Sequence, residues 1–187
     1  MPRTKTHLSP SEYAVLGLLL EKPAYGYELQ RQLSGTRGLA RVCPVEPAMV
    51  YAILKSLAGL ELIDGEWDKS VYPPRAVYAA TAEGEAAFQR WLRQPVARMR
   101  EVRRDFLVKL YFAIHEGIDS AIDLLAAQID AAESYRAAIE RELAGAEAAS
   151  FDAIVLGSKL TAARLTLEWL RASESELRAR AGREKTS

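Results

Sequence analysis

A chain of 187 residues has room for one or two domains, and with 49% apolar residues it can bury a true core rather than stay disordered. Its 25 basic and 25 acidic residues cancel, and a cut at Pro95 leaves +1 before it and −1 after it, so bulk charge does not support a nucleic-acid partner. A single cysteine, Cys43, excludes an internal disulfide, and no apolar run approaches the roughly 20 residues of a membrane span.

That cysteine usage suits a reducing cytoplasm, and the opening MPRTKTHLSPSE lacks the apolar core of a signal peptide, so a cytoplasmic protein without a membrane role is expected. Residues 1–7 are polar and basic, with Arg3 and Lys5, and read as a loose arm. Ser9, Pro10 and Glu12 then supply a cap, a proline at the first helical position and a capping-box acid. The helix that follows is apolar nearly all round, through Val15, Leu16, Leu18 and Leu19, and Lys22-Pro23 ends it. A second helix is entered through Ala24-Tyr25-Gly26-Tyr27, spans Glu28–Leu33 and stops at Ser34-Gly35. A loop with Arg37, Gly38 and Arg41 leads to Pro44 and Pro47, which bracket the start of a third helix. Cys43, next to Pro44, fits a structural helix-flanking thiol better than a redox sensor.

The stretch Val45–Thr81 changes period midway. Val50, Ile53, Leu54, Leu57 and Leu60 fall on one helical face. Leu62-Ile63 to Trp67, and Ala76 to Ala79, then read as two extended runs joined by the polar, proline-broken segment Asp68–Arg75. Three short helices with a hairpin after the third give the order of a winged helix-turn-helix. The expected class is therefore mainly α: a winged helix over residues 1–95, followed by a helical domain over 96–187.

Thr81 to Leu92 forms a fourth helix carrying Phe88 and Trp91, and Gln94-Pro95 marks the boundary. Val96–His115 reads as one helix with Arg98, Arg100, Arg103 and Arg104 in its first half, and Glu116-Gly117 breaks it. Ile118, Ile122, Leu125, Ile129, Ala132, Arg136, Ile139 and Leu143 then follow a heptad seam in which only Arg136 is out of character. A turn at Gly145–Ser150 precedes a second seam, through Ala153, Leu156, Leu160, Ala163, Leu167 and Leu170. Two long helices joined by a short loop predict an antiparallel hairpin, with the tail after Ala181 disordered. Dimerisation is assigned to Ile118, Ile122, Leu125, Ile129, Leu156, Leu160, Leu167 and Leu170. Leu124, Tyr135, Phe151, Ile154, Val155, Leu165 and Trp169 lie off the seam; they cover either the same chain or a second copy, and the second is favoured.

Residues 8–92 resemble the PadR family of transcriptional regulators. Leu16-Gly17-Leu18-Leu19 with Tyr25-Gly26-Tyr27-Glu28-Leu29, the run Val50-Tyr51-Ala52-Ile53-Leu54 to Leu62-Ile63, and Tyr78, Thr81, Gly84 and Trp91-Leu92 carry the likeness. Arg104-Asp105-Phe106 with Lys109-Leu110 is similar to the start of that family's longer C-terminal domain. The resemblance implies a homodimeric repressor on a palindromic operator, released by a small, often aromatic effector. This chain departs from the family pattern where Glu46-Pro47-Ala48-Met49 stands in place of a Ser- and Gly-containing helix start, and its third helix offers only Lys55 as a cation.

Phosphates must be neutralised by cations, for which Arg31, Arg37, Arg41, Lys55, Lys69 and Arg75 are the candidates beside Arg3 and Lys5 in the arm. Glu46, Pro47, Ala48 and Met49 lie at the helix end that enters a major groove, where Glu46 accepts from cytosine or caps the helix. Tyr25 is placed to bond a phosphate, core packing is expected of Tyr27 rather than Tyr25, and for Tyr51 both roles fit equally. Candidate effector-lining aromatics such as Trp91, Phe106, Tyr111 and Phe112 fit ordinary core packing better.

No cofactor or metal is implied, because His7 and His115 have no cysteine at ligand spacing, and no phosphate loop or nucleophile elbow argues for an enzyme. The leading expectation is thus a ligand-responsive, dimeric regulator of double-stranded operator DNA. A winged-helix module that binds protein instead of DNA is the alternative, motivated by the neutral charge and Glu46. A small hydrolase is weaker still.

Overall fold

The structure, a computed structural model, describes residues 8–70 and 72–184; Arg3, Lys5 and His7 lie outside them. Helix α1 (Pro10–Glu21) begins as its sequence dictates, with the Ser9 side chain and the Glu12 carboxylate forming a complete capping box. Buried Glu12 accepts from the Ser9 N–H at 2.8 Å and also from Ser56 Oγ at 3.0 Å, so one carboxylate joins this cap to the third predicted helix. A buried carboxylate is tolerable only when its lone pairs are used in this way.

Ala24–Tyr25 is a short strand, β1, rather than a helix entrance. It pairs with β3 (Arg75–Ala80), whose other edge carries its hairpin partner β2 (Ile63–Asp68), in an antiparallel sheet of order β1-β3-β2. Tyr25 lies opposite Val77, and Asp68 opposite Arg75 at the hairpin's far end. Between them run α2 (Gly26–Leu33), α3 (Leu39–Val42) and α4 (Pro47–Gly59), followed after the hairpin by α5 (Ala82–Leu92). The four-residue α3 occupies what reads in the sequence as loop, entered through Gly38 at a φ of 56°. Leu16, Leu29, Leu33, Leu54, Leu57 and Ile63 are fully buried and form the winged helix core. Cys43 is buried too, 3.3 Å from Ser11 Oγ, in keeping with a structural thiol.

The predicted helix Val96–His115 is not continuous. A 3-10 turn (Met99–Glu101) and a π-helical turn (Val102–Phe106) precede α6 (Leu107–Glu116). The chain divides into two compact units, and the division does not fall at one point: Arg103–Phe112 pack with the residues up to Arg93, while Gln94–Val102 pack with Ala113 onward. The first grouping has a clear cause. Phe112 meets Phe88 edge-on at 5.1 Å, Phe106 is fully buried, and Lys109 donates from Nζ to the Trp91 carbonyl. The Lys109 ammonium also lies 4.7 Å from the centre of the Trp91 ring, which stacks in parallel on Tyr13 at 4.1 Å and meets Phe88 at 5.4 Å.

Burial pushes the Lys109 ammonium down to about 8, with the Asp105 carboxylate opposing the shift. The unfolded chain therefore keeps a proton that the folded chain has shed between pH 8 and the ordinary value of 10.5. Stability from this group is complete above about 10.5 and lost as pH falls to about 8. Relative to Lys109→Met, the parent chain is expected to gain thermal stability from pH 8 to pH 10.5, and parallel Tm curves for the two would contradict this.

In the second unit, α7 (Ile118–Ala144) and α8 (Phe151–Glu184) pack against each other as an antiparallel pair. Helix α8 runs on through Glu184 where the sequence reads as a disordered tail. Ile122, Leu125, Ile129, Leu160, Leu167 and Leu170 are buried, and Ile118 and Leu156 are half-buried. Within the single chain these seam residues lie in the contact between α7 and α8. Leu124 is buried as well, whereas Phe151, Ile154, Leu165 and Trp169 of α8 are exposed. Arg136, the odd member of the first seam, is accounted for by Glu140, which also binds Arg164 of α8; both arginines hold the Glu140 carboxyl below its usual range. Fully buried Gln128 accepts the Val96 N–H at 2.7 Å and donates to the Val96 carbonyl at 3.1 Å, fastening the preceding segment to α7.

Candidate nucleic-acid interface

Helix α4 buries Val50, Ile53, Leu54 and Leu57 and leaves Ala48, Met49, Tyr51, Ala52 and Lys55 in solvent. Pro47 occupies the first turn, where its missing N–H is harmless. Glu46 is the N-cap residue by backbone position, yet its side chain makes no capping bond and is exposed. Of its two expected roles, capping is not observed. Arg31, Arg37, Arg41, Lys69 and Arg75 are exposed, so among the twelve residues predicted to meet DNA only Tyr25 is partly covered.

The two tyrosines of the β1–α2 junction are covered in the reverse order to that read from the sequence. Tyr27 is 42% exposed, and Tyr25 is the half-buried one. Tyr25 donates from its hydroxyl to Asp68 Oδ2 at 2.6 Å, which ties β1 to the end of β2. The hydrogen bond to Asp68 raises the Tyr25 phenol, and the Ser70 hydroxyl followed by the Tyr25 hydroxyl lowers the Asp68 carboxyl. Tyr27 stacks on Tyr25 at 5.5 Å and carries the Arg75 guanidinium 5.1 Å from its ring centre. Asp68 and Tyr27 thus belong to this surface although neither is evident from the sequence.

Gly26 lets α4 approach α2 closely. A β-carbon there would lie 2.8 Å from the Tyr51 ring, so Tyr51 packs its ring edge on the α2 N-terminus while remaining 51% exposed. Core packing and exposure coexist in this one residue. The result is one outward surface built from α4, the α2 entrance and a hairpin wing bearing Lys69 and Arg75. A wing beside a helix-turn-helix whose last helix presents an unburied face defines the winged-helix class of DNA-binding proteins.

Residues 15–90 match the family described as the transcriptional regulator PadR-like family, and residues 102–178 match one described as the virulence activator alpha C-terminus. No match was found among curated proteins. A PadR-like transcription factor from Bacteroides fragilis is 32% identical over 43% of this chain and 74% of its own, with a TM-score of 0.37. Bacillus subtilis PadR, solved in complex with operator DNA, is 20% identical over 90% of this chain and 99% of its own, at a TM-score of 0.46. A PadR-like regulator from Bacillus cereus is 23% identical over 93% and 99%, at 0.43. The chain belongs to the PadR-like family of transcriptional regulators, a family of DNA-binding proteins rather than enzymes. Among the described residues no helix is long and apolar enough to cross a membrane.

Proposed function

We propose that this chain is a dimeric, ligand-responsive repressor that reads a palindromic operator with α4 and grips it with the wing. The observation that carries the reading is the outward surface of α4 lying in one fold with a cationic wing, in a chain whose family regulates transcription. Helix α4 supplies small, apolar and hydroxyl-bearing groups for base edges but only Lys55 for phosphates. Affinity therefore falls to Lys69 and Arg75, to Arg31, Arg37 and Arg41, and to a second subunit. The exposed α8 residues Phe151, Ile154, Leu165 and Trp169 offer the face on which a second copy would bring the second half-site. Release by a small effector belongs to the same reading through the family, and Trp91, Phe106 and Phe112 are buried, as core packing requires.

The test is titration of the DNA upstream of the chain's own gene across a salt series. Each phosphate contact contributes about 0.9 to the slope of log K against log salt. Changing Lys69 and Arg75 to alanine removes four cations from a dimer, so the slope should become shallower by about 3.6, with affinity falling at every salt concentration. An unchanged slope would remove the wing from the interface. The alternative, a module that binds protein, draws on exposed Glu46 at the groove-facing end of α4; under it the parent chain shows no salt-dependent binding to this DNA.

A further inference from the structure

An acidic residue on a surface that meets phosphate should weaken binding, and its removal should strengthen it. Asp68 is such a residue, at the last cross-strand pair before the wing tip and directly opposite Arg75. Both of its oxygens accept hydrogen bonds. Oδ2 accepts from the Tyr25 hydroxyl at 2.6 Å, and Oδ1 accepts from the Ser70 N–H at 2.8 Å and from Ser70 Oγ at 2.5 Å. One carboxylate therefore binds the helix-turn-helix side through β1 and the wing tip through Ser70.

The other strand of the wing is held in parallel. Arg75 lies over the Tyr27 ring, and Tyr27 stacks on Tyr25. Tyr25 and Tyr27 flank Gly26, on which Tyr51 of α4 rests. Each hairpin strand thus reaches the α2 entrance through one aromatic side chain, and the same entrance sets the position of α4. Ladder hydrogen bonds fix the hairpin's own register, but β1 supports β3 only at Val77 and Tyr78, so beyond them the wing is a two-stranded ribbon able to bend and twist. A short charge-assisted bond and a cation–π contact at its far end restrain that motion.

We propose that Asp68 and Tyr25 are positioning residues for DNA recognition: they latch the wing to the helix-turn-helix so that Lys69 and Arg75 are presented at a fixed angle to α4. This rests on the DNA reading above, and it assigns the Tyr25 hydroxyl to Asp68 rather than to a phosphate. The consequence runs against simple electrostatics. Truncating the Asp68 side chain, and with it a negative charge, weakens binding instead of strengthening it.

The test uses the full-length chain with Tyr25→Phe, Asp68→Ala, Asp68→Asn and the double variant of Tyr25→Phe with Asp68→Ala. Losing one such bond should weaken DNA binding roughly three- to tenfold. The double variant should be no weaker than Asp68→Ala alone, as expected when two residues act through one contact. Asp68→Asn keeps an acceptor for Tyr25 and should restore most of the affinity. Tighter binding by Asp68→Ala would overturn the proposal, and additive losses in the double variant would return the Tyr25 hydroxyl to a direct phosphate contact. Backbone amide relaxation of residues 66–77, measured without DNA, supplies a readout that does not depend on the functional reading. The wing amides should gain nanosecond mobility in Tyr25→Phe while those of α4 do not. If wing mobility is unchanged the latch is refuted; if the parent chain fails to bind DNA while the mobility changes, the latch stands and the DNA reading falls.

Discussion

Gly84→Ala is expected to be the most destabilising single-methyl change in the winged helix, lowering Tm by roughly 15 °C or more, which corresponds to about 3 kcal/mol for a domain of this size. A β-carbon at this position would lie 2.1 Å from the Leu62 carbonyl oxygen and 3.1 Å from its carbon. The obstacle is backbone, so no rotamer change relieves it. Nor is the backbone free to retreat. The Leu62 carbonyl accepts the Thr81 N–H at 3.1 Å, the Thr81 hydroxyl donates to the Glu61 carbonyl at 2.8 Å, and the Gly84 N–H donates back to that hydroxyl at 3.0 Å. Moving α5 away to admit one methyl breaks this cap and loosens Leu16, whose Cδ1 lies 3.2 Å from the same point. Overpacking a well-filled core typically costs about 1–3 kcal/mol, and a backbone clash belongs at the upper end or beyond. The control is Gly59→Ala, where no atom lies within 4 Å, and there alanine should be neutral or stabilising by up to about 1 kcal/mol. Thermal melts of the two variants decide it. Equal Tm values would mean that α5 and the strand entry are not locked together.

The contrast between features that were and were not legible in the sequence follows the range of the interactions that make them. The Ser9–Glu12 cap, the buried face of α4 and the hairpin were all legible, because each is specified within a few residues. Strand β1 was not, since two residues carry no period and the strand exists only by pairing with Tyr78 and Val77, some fifty positions on. Because Tyr25 lies in β1, the relative burial of Tyr25 and Tyr27 was not legible either. Helix α3 and the π-helical turn at Val102–Phe106 escaped for a related reason: a four- or five-residue segment is set by what it packs on, not by its own pattern. The cations proposed for the interface are exposed, because charge and exposure go together. Asp68 was missed because its importance lies in a hydrogen bond across 43 positions of sequence.

The long helices pose the harder case, since a heptad does not say whether its partner is in the same chain. The structure separates two apolar stripes on α8. Leu160, Ala163, Leu167 and Leu170 face α7 and are buried, while Phe151, Ile154, Leu165 and Trp169 are 77%, 64%, 59% and 38% exposed. Four large apolar groups recurring along one side of a helix 34 residues long, about 51 Å at 1.5 Å per residue, form more than scattered surface apolarity. Covering each by a second copy is worth about 1.5–3 kcal/mol at full burial. The two stripes therefore predict opposite failures. Ile154→Glu with Leu165→Glu should leave helix content and Tm of the isolated chain nearly intact, yet convert a dimer to a monomer in light scattering at micromolar concentration. Leu167→Glu should instead melt the α7–α8 pair, because it places an unpaired charge in a site only 3% exposed. The first variant should also halve the salt slope of DNA binding, because a lone subunit brings one wing and one α4 to one half-site. If the exposed-stripe variant keeps the parent's mass, the second copy does not sit on α8. If the parent itself is a monomer, the operator must be read by single subunits, and the neutral charge of the chain would make that binding weak.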